Sequence, residues 1–135
     1  MQSPLQILFI DDHIGLLEGI SSILKTKDSS LQFFLASNTE SAQRIFKAKG
    51  SISLIVADLN IDGEDGIKAI SILRKIREVP CIIYSMYSDL FHVKAALAAN
   101  VQGYVSKKSS TEELLRTIHT VAEGRSFYCT ETMKT

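Results

Sequence analysis

Apolar residues in this chain fall into two alternating patterns. Short, nearly continuous runs occur at about 6–11 (QILFID), 31–36 (LQFFLA), 53–58 (SLIVAD), 80–86 (PCIIYSM) and 102–106 (QGYVS). Runs of that length, most without clean alternation, predict strands of a parallel sheet covered on both faces. Between them, apolar residues recur at spacings of three and four, the period of one helical face. These are Leu16, Leu17, Ile20, Ile23 and Leu24; Ala42, Ile45 and Phe46; Ile67, Ile70, Leu73 and Ile76; Val93, Ala96 and Leu97; then Leu114, Leu115, Ile118, Val121 and Ala122. Ser37 with Glu40 and Ser110 with Glu113 fit capping boxes, and Gly50 and Gly124 sit where helix C-caps belong. Strand and helix alternate as (βα)5. Parallel strands joined by right-handed helical crossovers make an open, doubly wound, five-stranded α/β sheet the expected fold.

Composition narrows the setting. At 135 residues and 45% hydrophobic content the chain is sized for one domain with one sizeable core. Fifteen basic and fifteen acidic residues cancel, so the positive field that nucleic acid or an anionic membrane calls for is missing. Direct nucleic-acid or membrane binding is therefore not expected. No apolar run approaches a membrane span, and "MQSPLQILFIDDH" lacks the features of a signal peptide, so the cytoplasm is the expected location. Cys81 and Cys129, far apart and without CxxC spacing, read as free thiols.

Open α/β sheets bind ligands beyond the carboxyl ends of their strands, where strand order reverses. The first strand ends in Asp11 and Asp12, the third in Asp58, the fourth in Ser85 and the fifth in Lys107 with Lys108. The second offers only Ala36 and Ser37. In the order 2-1-3-4-5 that strand lies at an edge, so the near-blank end falls away from the site. Three carboxylates brought together raise one another's pKa values unless a counter-charge is present. Mg²⁺, a hard cation that takes oxygen ligands, resolves the conflict and makes the Asp11–Asp12 pair half of a metal site completed by Asp58. Asp58 then has an oxygen free to act as a nucleophile toward phosphorus, with Lys107 and the Ser85 hydroxyl placed to meet the charge on the phosphoryl oxygens.

"ILFIDDH", "LIVADLNIDGEDG", "IIYS" and "GYVSK", in this order and spacing, resemble the receiver domain of bacterial two-component response regulators. The resemblance covers about residues 5 to 124 and is most like the LuxR-type subfamily, given the "DDH" start and "GYVSK" followed by "SSTEELLRTI". It implies a flavodoxin-like sheet in which Asp58 is the phosphoacceptor, in a chain that is a signalling switch rather than an enzyme. Asp11, Asp12, Asp58 and the main-chain carbonyl of Asn60 would bind Mg²⁺. Ser85 and Tyr104 would form the switch, and Lys107 would pair with the phosphate. A histidine kinase is the implied phosphodonor, and a homodimer or a C-terminal helix-turn-helix output domain the implied reader. The expected domain is 1–124, with 125–135 ("RSFYCTETMKT") resembling the start of a linker toward an output domain absent from this chain.

Some positions depart from the family pattern. The family usually has Pro four residues after the phosphoacceptor, where this chain has Asp62, with Glu64 and Asp65 following. Surface solvation is the expected fate of these acids; an inward-pointing one would oppose the phosphoryl group. Met86 stands where a small residue is usual, and would slow hydrolysis of the acyl phosphate by hindering water. Taken singly, Asp12 is an ordinary helix N-cap, Ser85 a turn hydroxyl, Lys107 a solvated amine and Tyr104 a packing residue; their joint placement carries the site. His13 is expected to begin the first helix and point to solvent. Two alternatives remain open: a pseudo-receiver that binds partners without phosphorylation, and a Mg²⁺-dependent hydrolase of the haloacid dehalogenase type, against which stands Asn60 where that class needs a second Asp.

Overall fold

The computed structural model describes residues 4–129. Its main elements are β1 (Leu5–Ile10), α1 (Ile14–Lys27), β2 (Leu31–Ala36), α2 (Thr39–Ala48), β3 (Leu54–Ala57), α3 (Gly66–Ile76), β4 (Cys81–Ser85), α4 (Leu90–Ala98), β5 (Gly103–Ser106), α5 (Thr111–Ala122) and β6 (Phe127–Cys129). The strands are all parallel, in the order β2-β1-β3-β4-β5-β6. The expected order of five strands is present, and β6 extends it. It comes from residues read as the opening of a linker and pairs Gly103 with Phe127 and Tyr104 with Tyr128. Residues 130–135 lie outside the described residues, as does the side chain of Cys129.

Burial on both faces explains the lack of alternation. In β1, Ile7 and Phe9 enter one core with Leu17, Leu24, Leu114 and Ile118, while Leu8 and Ile10 enter the opposite core with Phe46, Ile70 and Leu73. Each such side chain fully withdrawn from water contributes about 1.5–3 kcal/mol. Not every apolar position on the helical stripes is used: Leu16, Ile23 and Leu97 are exposed. Cys81 is a free, buried thiol, and burial pushes its pKa up to about 12. No helix among the described residues is long and apolar enough to cross a membrane.

The helix ends are capped locally. Ser110 caps α5 by accepting from the Glu113 N–H at 3.2 Å. For α2 the cap is Asn38 rather than the expected Ser37: its Oδ1 accepts from the Ser41 N–H at 2.8 Å, so the helix starts one residue later than a Ser37–Glu40 box requires. At the end of α5, Gly124 N–H reaches Val121 O and Arg125 N–H reaches Thr120 O, a Schellman closure. The other expected cap, Gly50, lies one residue past Lys49, which closes α2. Asp28, after α1, accepts from the Ser30 N–H and hydroxyl and pairs with His119 of α5 at 2.8 Å.

The β3–α3 connection sets the backbone around Asp58. Asn60–Ile61 and Glu64–Asp65 form a miniature antiparallel hairpin turned by Asp62 (φ 52) and Gly63 (φ 82). Two successive positive φ values are those of a type I′ turn, in which Asp-Gly is favoured. Proline, locked near −65°, cannot adopt the Asp62 conformation, so the departure from Pro goes with a different turn. The acids of this segment do not crowd Asp58. Glu64 accepts from the Thr39 N–H and hydroxyl at the start of α2, Asp65 caps α3 through the Ile67 N–H, and Asp62 is exposed. Next to this cap, Gly66 packs directly on the Asp58 peptide. A Cβ at Gly66 would lie 1.8 Å from the Asp58 carbonyl oxygen and 3.0 Å from Leu59 Cα, so only glycine fits.

Replacing Gly66 by Ala is expected to lower stability by about 1–3 kcal/mol in urea unfolding, because backbone rather than a flexible side chain must give way. It should also shift the NMR resonances of Asp58 and Leu59. Asp28 offers a pH test. Hydrogen bonds from the Ser30 hydroxyl, His119 and the Ser30 N–H hold its carboxyl below the ordinary range. Its contribution is thus complete above the unfolded value, near pH 4, and lost as pH falls through the lower folded value. Asp28→Asn is expected to be less stable than the parent at pH 7, with the two urea midpoints converging as pH falls through the lowered carboxyl value.

Candidate acidic phosphoryl site

Backbone ladders carry the candidate residues past the last paired residues of the strands. Asp11 N–H donates to Ala36 O, Asp58 N–H to Ile10 O and Lys107 N–H to Ser85 O, each continuing the sheet by one residue. Segments distant in sequence, with the Ser85 end of β4 between those of Asp58 and Lys107, are thereby fixed along the carboxyl edge of the sheet.

At that edge Lys107 joins two carboxylates. Its Nζ lies 2.6 Å from Asp11 Oδ2 and 2.9 Å from Asp58 Oδ2. Asp11 and Asp58 are both buried. Burial pushes the Asp11 carboxyl up, but the Lys107 hydrogen bond and charge, with hydrogen bonds from His13, outweigh it and hold the group below the ordinary range. For Lys107 burial favours the neutral amine, yet hydrogen bonds to Asp11 and Asp58 raise its pKa overall. The ammonium and the Asp11 carboxylate thus hold each other in the charged form.

Asp12 and His13 form the outer part of the site. His13 precedes α1 as its N-cap instead of beginning it. Its ring is 69% exposed, in line with the expected solvent-facing position, but Nδ1 lies 3.1 Å from Asp11 Oδ1 and 3.2 Å from Asp12 Oδ1. Asp11, Asp12 and His13 offer ligand atoms all within 4.8 Å of one another. The donor chemistry fits a hard divalent cation: the Asp12 carboxylate is partly open to solvent, and Lys107 engages only Oδ2 of Asp58. Asn60, the fourth expected ligand, is exposed in the hairpin, where its Oδ1 accepts from the Gly63 N–H at 2.9 Å.

Ser85 is fully buried at the end of β4, and its Oγ accepts from the Tyr87 N–H at 3.0 Å. Tyr104 is buried as well, its hydroxyl donating to the carbonyl of the same Tyr87. The side chains of the two expected switch residues therefore hold the two sides of one residue's backbone. Met86, between Ser85 and Tyr87, is 55% exposed. Gly66 and Tyr87 escaped the sequence reading, which named His13 but faced it to solvent, away from the carboxylates it meets here. For Gly66 the signal was present: glycine is a poor helix former, and directly after an N-cap Asp it implies a packing demand.

Known proteins resemble this chain in sequence and in fold. Residues 7–119 match the family model for the response regulator receiver domain. The transcriptional regulatory protein ComA of Bacillus subtilis is 34% identical over 122 residues, covering 88% of this chain and 56% of that protein. The nitrate/nitrite response regulator protein NarL of Escherichia coli is 30% identical over 124 residues, covering 91% and 57%. The chain thus spans little more than half the length of these relatives. A crystal structure of a LuxR-family two-component response regulator from Aurantimonas superposes with a TM-score of 0.84 at 25% identity, over 93% of this chain and 89% of that one. Receiver domains generally bind Mg²⁺ at an acidic pocket, and this chain has an acidic cluster at Asp11, Asp12 and His13. The chain belongs to the response regulator receiver domain family, with relatives of the LuxR type.

Proposed function

We propose that this chain is a phosphorylation-dependent signalling switch with Asp58 as phosphoacceptor. The observation that carries the reading is the Lys107 ammonium bridging Asp11 and Asp58 at the carboxyl edge of the sheet. An Asp58 carboxylate oxygen attacks phosphorus of the donor, an O–P bond forms, and the bond from phosphorus to the donor's leaving group breaks. If the donor is a phosphohistidine, as in a histidine kinase, the imidazole departs with the electron pair and is protonated. Asp11, Asp12, Asp58 and the Asn60 carbonyl would hold Mg²⁺, which supplies neutralising charge to the phosphoryl oxygens. Lys107 stays at the acceptor and pairs with the added charge, close to two negative units. The Ser85 hydroxyl turns to a phosphoryl oxygen, and the segment it anchors through Tyr87 follows.

The outcome is a population shift at the surface built by the β4–α4 loop, α4 and β5. Phe91 on α4 is 76% exposed and Tyr87 and Leu90 about half, an apolar surface suited to a reader. A second copy of the chain, or a helix-turn-helix output domain in a longer protein that regulates transcription from the cytoplasm, fits the relatives. Chemistry at Asp58 is limited to self-phosphorylation and slow hydrolysis of its own acyl phosphate, which Met86 would retard.

Incubation with Mg²⁺ and a small acyl phosphate is expected to add one phosphoryl mass to the intact chain, and none to Asp58→Asn. Absence of the adduct in the parent would leave a phosphorylation-independent interaction module. The metal reading has a separate test. Lys107→Met, which leaves buried carboxylates without their counter-charge, is expected to destabilise the metal-free protein by roughly 3 kcal/mol. Saturating Mg²⁺ should then raise the urea midpoint of Lys107→Met more than that of the parent.

A further inference from the structure

β6 lies at one edge of the sheet. It is three residues long, pairs on one side only, and enters through a Phe127 N–H bond to Gln102 O at 2.9 Å. Short edge strands are drawn from the low end of local stability. What anchors this one is Tyr128. Its ring stacks on Tyr104 with centroids 5.9 Å apart and planes at 25°, and its hydroxyl donates to Val101 O at 2.6 Å. Burial pushes the Tyr104 and Tyr128 phenols up to about 12, so both remain donors at neutral pH.

Tyr104 is in turn held from the direction of the phosphoryl site. Its hydroxyl grips the Tyr87 carbonyl while Ser85 grips the Tyr87 N–H. A continuous set of contacts thus runs from the Ser85 side chain through one residue's backbone to Tyr104, and from Tyr104 across a ring stack to the last strand. We infer that the β5 edge is a switchable docking surface whose occupant is this chain's own segment 127–129, retained by Tyr128 on Tyr104 and controlled through Tyr87 by the state of Asp58.

The direction follows from the clamp. Drawing Ser85 toward a phosphoryl group fixes the position of Tyr87, which keeps the acceptor for the Tyr104 hydroxyl in place. Tyr104 then stays inward under Tyr128. Without that restraint the loop is freer, Tyr104 can leave its pocket, and Tyr128 loses the ring it rests on. The coupling is reciprocal, so loss of Tyr128 must loosen the Tyr87 loop. Control by Asp58 rests on the phosphorylation reading above, whereas the Tyr87–Tyr104–Tyr128 connection does not.

Hydrogen exchange on the full chain separates the two. In the unmodified protein, Tyr104→Phe keeps the ring but deletes the donor to Tyr87. It is expected to speed exchange at 127–129 about fivefold, with β1 unchanged as the control for an intact fold. Tyr128→Ala is expected to speed exchange at 86–89, an effect that local loss of packing at β6 would not produce. Parent-like exchange at 127–129 in Tyr104→Phe, or at 86–89 in Tyr128→Ala, overturns the inference. Mg²⁺ with beryllofluoride, its binding verified by fluorine NMR, is expected to slow exchange at 127–129 about threefold in the parent and not in Tyr104→Phe. Bound beryllofluoride with unchanged or faster exchange overturns control by Asp58. If none binds, the phosphorylation reading fails together with control by Asp58, and the two variants still decide the connection.

Discussion

The ammonium of Lys107, lying between Asp11 and Asp58, is the constraint on which the rest of the site depends. A parallel sheet packed on both faces brings its strand ends into a small space, and this sequence puts carboxylates at two adjacent ends. Buried like charges would raise one another's pKa values and strain the edge. The lysine comes from a third strand end, so the charge balance is met only when β1, β3 and β5 all lie in register. That requirement links the chemistry to the fold: the same backbone bonds that extend the ladders to Asp11, Asp58 and Lys107 place the ions within contact.

The segment after Asp58 shows how a local departure is absorbed. An Asp at position 62 and two further acids nearby could have flooded the site with negative charge. Instead the chain makes a tight hairpin with Asp62 and Gly63 at positive φ, and Glu64 and Asp65 are spent on the starts of two helices. Helix N-termini favour negative charge, so these acids are stabilised away from Asp58. The hairpin leads straight into Gly66, whose lack of a side chain lets α3 begin against the Asp58 carbonyl. Turn, cap and close approach form one unit that fixes the Asp58 backbone.

On the other side of Asp58, the β4–α4 loop is held by side-chain hydrogen bonds rather than by backbone packed on backbone: the Tyr87 N–H donates to Ser85 Oγ and the Tyr87 carbonyl accepts from the Tyr104 hydroxyl. The contrast is physically sensible. In the phosphorylation reading proposed for this chain, Asp58 must stay still during transfer, while the elements that respond must have an alternative arrangement close in energy. The Tyr104–Tyr128 stack continues from that loop toward the edge of the sheet, away from Lys107 and its carboxylates.

Much of this was legible in the chain itself. Short apolar runs alternating with helical stripes determined the doubly wound sheet, since a period is a local property that burial on two faces leaves visible. The strand-end positions of Asp11, Asp12, Asp58, Ser85 and Lys107 determined the candidate site, because topology alone brings strand ends together. What the tertiary structure decided was of another kind. Which of Ser37 or Asn38 caps α2, where Glu64 and Asp65 point, and why position 66 must be glycine all depend on backbone placed by contacts far along the chain. So does β6, whose three residues are too short for a period and gain their strand geometry from the exposed edge of β5 and the ring of Tyr104. Sequence pattern reports how each segment divides between water and core; pairing of individual groups follows only from distances that the completed fold creates.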